Sequence, residues 1–302
     1  MPASLQMILA TLLFSTMGVC VKLASAYYGA GEIVMYRGLI GCLMLGGLAW
    51  KQGISLRTAV PAMHFWRSLS GVIALSLWFY AIGKLPLATA MTLNYMSSVW
   101  MAMFLIGGSI MMGSARVDGR LVAAVLLGFV GVALVLRPTV EQQQAWHGLA
   151  GLLSGMLAAL AYLQVTALGR AGEPEIRVVF YFSLGGVLAG ALLASAMDRI
   201  EAQPWHSHSW RGAALLLAVG LLASTAQLLM THAYARGKTL VNASLQYLGI
   251  VFSALYGVLL FADQLGAAAL LGMGLIIVAG IAATLLRARS TPIDSQQPTS
   301  ES

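Results

Sequence analysis

Charge is scarce in this chain. Of its 302 residues only 9% are Asp, Glu, Lys or Arg, against 59% hydrophobic residues, whereas soluble domains carry about 25% charged residues. So little polar capacity cannot cover a water-facing surface, which excludes a soluble globular protein; a bilayer must supply the missing solvent. Acidic residues number ten, each in a loop, a tail or the end of an apolar run. None falls at mid-membrane depth, so a buried carboxylate relay for proton coupling is disfavoured, with Glu32 and Asp263 as the only fallbacks. Cysteine is limited to Cys20 and Cys42, both inside apolar runs without metal or redox spacing, and they read as buried, inert thiols. No HExxH, GxSxG, Walker loop or paired-carboxylate pattern is present. His206-Ser207-His208, beside Trp205 and Trp210, lacks further ligands and reads as an interfacial loop rather than a zinc site. No catalytic residue, metal or cofactor is expected.

What is present is apolar length. Ten runs suited to crossing a bilayer, which takes roughly 20 residues, cover 5–26, 32–50, 63–83, 88–111, 121–136, 148–169, 178–197, 212–233, 240–261 and 266–286. The first has no Lys or Arg before Lys22 and no small-residue cleavage site, so it reads as a retained span. The expected fold is an all-α integral membrane protein of ten transmembrane helices.

Charge placement orients them. Eleven of the 17 Lys and Arg residues fall on the side of the N-terminus, among them Lys51, Arg57, Arg170, Arg177 and Arg287. Lys84, Arg137, Arg199 and Arg211 fall opposite, and Lys22 and Arg37 lie within spans or at their edges. The positive-inside rule then predicts both termini in the cytoplasm, N-in and C-in. The net charge of +7 reflects this topology. Its basic residues are scattered over separate loops, so no nucleic-acid surface is expected.

The chain also repeats itself. Tyr80-Ala81-Ile82-Gly83-Lys84 followed by Leu93-Asn94-Tyr95 returns as Tyr234-Ala235-Arg236-Gly237-Lys238 followed by Leu245-Gln246-Tyr247. Duplication divides the spans five and five, and an odd number per unit makes the second copy enter from the opposite face. Lys84 outside and Lys238 inside agree with inverted repeats, the architecture that exposes one central site alternately to either side. The expected units are 5–137 and 148–286, followed by a disordered cytoplasmic tail over 287–302 rich in Ser, Thr, Pro and Gln.

Candidate site residues are the polar groups hardest to place in lipid. Arg37 either reaches the outer interface or binds solute, and Arg67 either snorkels to the cytoplasmic interface or binds solute. Lys22 is expected to snorkel, and His232 to pack. Asn242, Gln246, Gly249, Ser253 and Tyr256 share one helical face, as do Ala90, Asn94, Ser97 and Met101, and Thr11, Ser15, Gly18, Lys22 and Ser25. Small residues at this spacing favour close helix packing; the amides Asn94 and Gln246, at matching repeat positions, favour a cavity. Tyr95, Tyr162, Gln164, Tyr247 and Ser98 complete the candidate solute site. Trp78 and Tyr80, near a span end, read as an interfacial belt.

Several passages identify a family resemblance: Phe14-Ser15-Thr16 with Lys22, Tyr36-Arg37-Gly38, Trp66-Arg67-Ser68, and Trp78-Phe79-Tyr80-Ala81 leading to Leu85-Pro86-Leu87-Ala88-Thr89-Ala90. With Tyr234-Ala235-Arg236-Gly237, Tyr247 and Gly272-Met273-Gly274, these resemble the EamA-type carriers of the drug/metabolite transporter superfamily. The resemblance implies a secondary transporter of amino-acid-like or S-adenosylmethionine-like solutes, working by alternating access in the inner membrane. Its partners would be the bilayer, the solute and a coupling ion the sequence does not name, with the chain a monomer or homodimer. A lipid-modifying membrane enzyme would need a reactive constellation, and a sensory or scaffold protein an appended soluble domain; neither is visible. One departure is Met96-Ser97-Ser98 where many relatives carry proline, so no proline is available to break that span.

Overall fold

The computed structural model describes residues 2–111, 119–141, 144–201, 205–236 and 245–290. Arg116 and Asp118, residues 237–244 with Lys238 and Asn242, and the tail from 291 onward lie outside the described residues, as does the side chain of Ser98. Every regular element among the described residues is helical. The helices are α1 (Ala3–Ala24), α2 (Ala30–Lys51), α3 (Pro61–Lys84), α4 (Leu87–Tyr95), α5 (Ser97–Met111), α6 (Gly119–Glu141), α7 (Ala145–Arg170), α8 (Glu175–Glu201), α9 (Trp210–Arg236), α10 (Leu248–Phe261) and α11 (Ala267–Ser290).

Local chemistry places their ends. Pro61 opens α3, where its missing N–H leaves no bond unmade. At the start of α2, Glu32 reaches back and accepts from the Gly29 N–H at 2.9 Å. Gly53, with φ 66, ends the same helix in the left-handed region, so the Ile54 N–H closes on the Ala49 carbonyl at 2.9 Å. Gly172, with φ 77, closes α7 in the same manner through Glu173 and Leu168.

Helices α1, α2, α3, α7, α8 and α9 are each long and apolar enough to cross a membrane, and shorter apolar stretches lie in α6, α10 and α11. Leu43, Leu192 and Leu259 point outward and largely exposed, as a lipid-facing surface requires. Trp50, Trp146 and Trp210 stand exposed near helix ends, the position of an interfacial belt.

The run over 88–111 is interrupted at Met96 although no proline is there. Side-chain and tertiary contacts replace it. The Thr92 hydroxyl donates to the Ala88 carbonyl at 2.6 Å, a bond that bends helices, and the Val99 N–H takes the Met96 carbonyl at 2.9 Å in a tighter turn. Gly155 of α7 packs directly on the carbonyls of Leu93 and Asn94. A second interruption, at Tyr247, precedes α10.

Packing is pairwise. α2 lies on α8, α6 on α11, α1 on α9 and α3 on α7, while α2 also meets α9 and α3 meets α8. The α2–α8 crossing is backbone on backbone: a methyl at Gly38 would stand 2.5 Å from the Ser183 carbonyl oxygen, and one at Gly190 2.5 Å from the Met35 nitrogen. Only glycine permits that approach. The stripes on α1 and α10 meet each other, Ser15 donating to the Gly249 carbonyl at 3.1 Å and Thr16 sharing a 3.0 Å hydrogen bond with Tyr256. Lys22 reaches the end of α3. It donates to the Leu85 carbonyl at 2.6 Å, a group left free at the end of α3, and lies over the Phe261 ring.

Candidate functional site

Where α1, α2, α3, α4, α7, α8 and α9 converge they enclose a cavity of about 80 Å³. Arg37, Arg67, Asn94, Tyr95, Tyr162 and Gln246 all line it. Gln164 does not: two residues beyond Tyr162 it is turned roughly 200° around the helix, where its carbonyl oxygen accepts from Ser70 at 3.0 Å. Tyr247 is also outside, buried with its hydroxyl lodged against Gly280 of α11.

Each lining group is placed by its helix. Gly38, next to Arg37, brings α8 so close that Phe182 lies under the guanidinium, its ring centroid 5.0 Å from Cζ. Arg67 on α3 covers the same ring at 4.2 Å, and Gly71 leaves the space that its Nη1 occupies. Both arginines are nearly inaccessible, at 5% and 4% exposed. Asn94, in the last turn of α4, donates to Ser154 at 3.1 Å, and Ser154 donates to the Gly151 carbonyl at 2.6 Å. Gln246 lies with its Nε2 3.3 Å from Met230 Sδ. Both amide nitrogens thus meet protein partners.

Sequence reasoning missed other walls. Trp78 is buried and lines the cavity instead of joining a belt. Gln227, an amide in the middle of an apolar run, lines it too; the reasoning that singled out Asn94 applies to it equally. Phe182 carries no such signal, since an aromatic residue in an apolar span is unremarkable until its neighbours are known.

Two polar clusters lie toward the two ends of the helices. At the face where α2 ends, Glu173 accepts from Thr58 at 2.9 Å and Arg177 at 3.0 Å, and lies 2.9 Å from His64 Nε2. Arg177 also donates to the Ser55 carbonyl, and Tyr181 to that of Leu56. Burial acts to raise the Glu173 carboxyl, but the hydrogen bonds from His64, Arg177 and Thr58, with the charge of Arg177, outweigh it and hold the group below the usual carboxylate range. At the opposite face, Glu32 accepts from the His206 N–H at 3.0 Å and lies 2.8 Å from its Nδ1, while Tyr36 pairs with His208 at 2.7 Å. Asp263 there accepts from the Leu87 N–H at 3.0 Å, capping α4. A larger vestibule of about 1070 Å³ lies on this side, bordered by Tyr80, Lys84, His147 and His206. Among the described residues no group of three or more His, Cys, Asp or Glu side chains could hold a metal.

Comparison with known proteins gives this geometry a context. The pattern of the EamA-like transporter family matches residues 1–137. The chain is 32% identical over 276 residues to the pseudopaline exporter CntI of Pseudomonas aeruginosa, spanning 91% of this chain and 93% of that protein. It is 25% identical over 281 residues to a riboflavin transporter of Rhizobium johnstonii, spanning 92% and 89%. An S-adenosylmethionine uptake transporter of Rickettsia felis is 23% identical over 255 residues, spanning 82% and 80%. A crystal structure shares the fold with a TM-score of 0.62 at 21% identity, over 96% of this chain and 99% of that one. The three named relatives are transporters. A multi-pass chain whose helices converge on a buried cavity, similar over nearly its whole length to such carriers, belongs to the EamA-like transporter family.

Proposed function

We propose that this chain is a secondary carrier for a small polar or amphipathic organic solute, working in the inner membrane by alternating access between inverted five-helix halves. Each half contributes to the cavity: Arg37, Arg67 and Asn94 come from the first, Tyr162, Gln227 and Gln246 from the second. That shared lining carries the reading. Exchanging α1 with α7, α2 with α8, α3 with α9, α4–α5 with α10, and α6 with α11 turns the α1–α9 contact into α7–α3 and leaves α2–α8 and α6–α11 unchanged. Such pairing supports a two-fold relation between halves. The positive-inside count supports cytoplasmic termini.

The end clusters supply gates. His64 and Glu173 join the first turn of α3 to the loop before α8, and Glu32 and His206 join the start of α2 to the segment before α9. Each therefore ties one half to the other, and opening either end requires its cluster to part. The relatives' names cover an exporter, an uptake transporter and three different organic solutes, so the class of solute is what extends to this chain. One chain holds both halves, and a monomer suffices.

Metabolite comparison of deletion and overexpression cells identifies the solute, and flux in liposomes at controlled pH and membrane potential tests transport. Arg37→Ala is expected to abolish flux at unchanged membrane abundance. Unchanged flux removes Arg37 from the solute path, and the absence of any solute-dependent flux by the native protein overturns the carrier reading.

A further inference from the structure

Two cations share one buried aromatic surface in this molecule. The Cζ atoms of Arg37 and Arg67 both lie within 5.0 Å of the Phe182 ring centroid. Nε of Arg37, and Nε and Nη1 of Arg67, have no hydrogen-bond partner. Like charges this close repel one another, and each guanidinium has also been withdrawn from water. A protein carboxylate would relieve both effects. The described carboxylates with assigned partners are committed elsewhere: Glu32 to Gly29 and His206, Glu173 to Thr58, His64 and Arg177, Glu175 to His232 and Asp263 to the backbone of Leu87. The Phe182 ring attracts both cations through its face, yet offers their N–H groups no acceptor.

A guanidinium is a planar fork that takes a carboxylate through two parallel hydrogen bonds. Two such forks over one ring match two carboxylates on one small molecule. Resting on the carrier reading above, we propose that Arg37 and Arg67 form a single clamp for a solute bearing two carboxylate groups, so that the bound species is a dianion. Phe182 is the positioning residue that holds both forks together. Phe14, Met17, Leu75 and Trp78 line the same cavity and suit the apolar spacer between the acid groups.

The test is titration of the purified full-length protein with succinate, glutarate and adipate and with the monoamide of each, following binding by the thermal midpoint and by isothermal calorimetry. The best diacid is expected to bind about tenfold or more tightly than its monoamide, since the monoamide loses one charge-assisted bidentate pair. Arg37→Gln and Arg67→Gln are each expected to remove that preference, and Phe182→Leu to weaken it. Equal binding of diacid and monoamide by the native protein overturns the clamp, as does failure of all three diacids to bind. This native-protein comparison stands even where a glutamine variant does not fold. Diacid preference without flux of labelled diacid in liposomes leaves the clamp and overturns the carrier reading; flux of a monoamide at its diacid's rate overturns the clamp and leaves the carrier.

Discussion

The α2–α8 crossing controls the site, and Gly38→Ala tests this directly. An added methyl would stand 2.5 Å from the Ser183 carbonyl oxygen and 2.7 Å from the Val187 nitrogen, where ordinary contact begins at 3.4 Å. Both obstacles are backbone atoms, so no side chain can swing aside and α8 must retreat by about 1 Å in a densely packed interior. Overpacking of this kind costs about 1–3 kcal/mol, partly offset by the roughly 0.5–1 kcal/mol that alanine gains over glycine in a helix. Ser183 follows Phe182, so the retreat also draws the aromatic ring from beneath Arg37. Gly47→Ala is the internal control, because a methyl there meets nothing within 4 Å on the same helix. Thermal unfolding in detergent should place the Gly38 variant below native protein and the Gly47 variant at or above it, with solute binding weakened only in the former. Equal midpoints and equal binding for the two variants would refute the reasoning.

Two further predictions concern charge. The Glu173 carboxyl is held below its usual range, so its ionised form contributes stability fully above about pH 4.3, the ordinary glutamate value, and loses it as pH falls through the lower folded-state value. Glu173→Gln should flatten that part of the midpoint-versus-pH curve, and parallel curves would dismiss the contribution. The arginine pair bears on kinetics as well. Reorienting the cavity around two unneutralised guanidiniums costs more than reorienting it around a bound dianion. Diacid on the far side should therefore accelerate efflux of labelled diacid from liposomes, and equal rates with and without it would contradict the paired-charge argument.

Much of the architecture was legible because bilayer insertion is a local rule. Spans over 5–26, 32–50 and 63–83 overlie α1, α2 and α3, since apolar length alone decides what lipid accepts. Arg37, Arg67, Asn94 and Gln246 were legible for the converse reason: polar groups in apolar runs are costly, and they gather in the cavity. Gln164 met the same criterion and nevertheless faces Ser70, because composition does not say which side of a helix meets which neighbour. The interruption at Met96 was hidden for a related reason, being made by Thr92 and by Gly155 of another helix rather than by proline.

By itself the sequence determined a multi-pass helical transporter chain and the short set of polar residues that lipid would not accept unpaired. Only the tertiary structure decided that two of those residues share the Phe182 ring, that Trp78 and Gln227 join them, and that Lys22 is held by Leu85. The physical reason is one of range. Transfer into lipid is settled residue by residue along the chain, whereas a site is settled by distances across helices, and here those distances depend on glycines that let backbones touch.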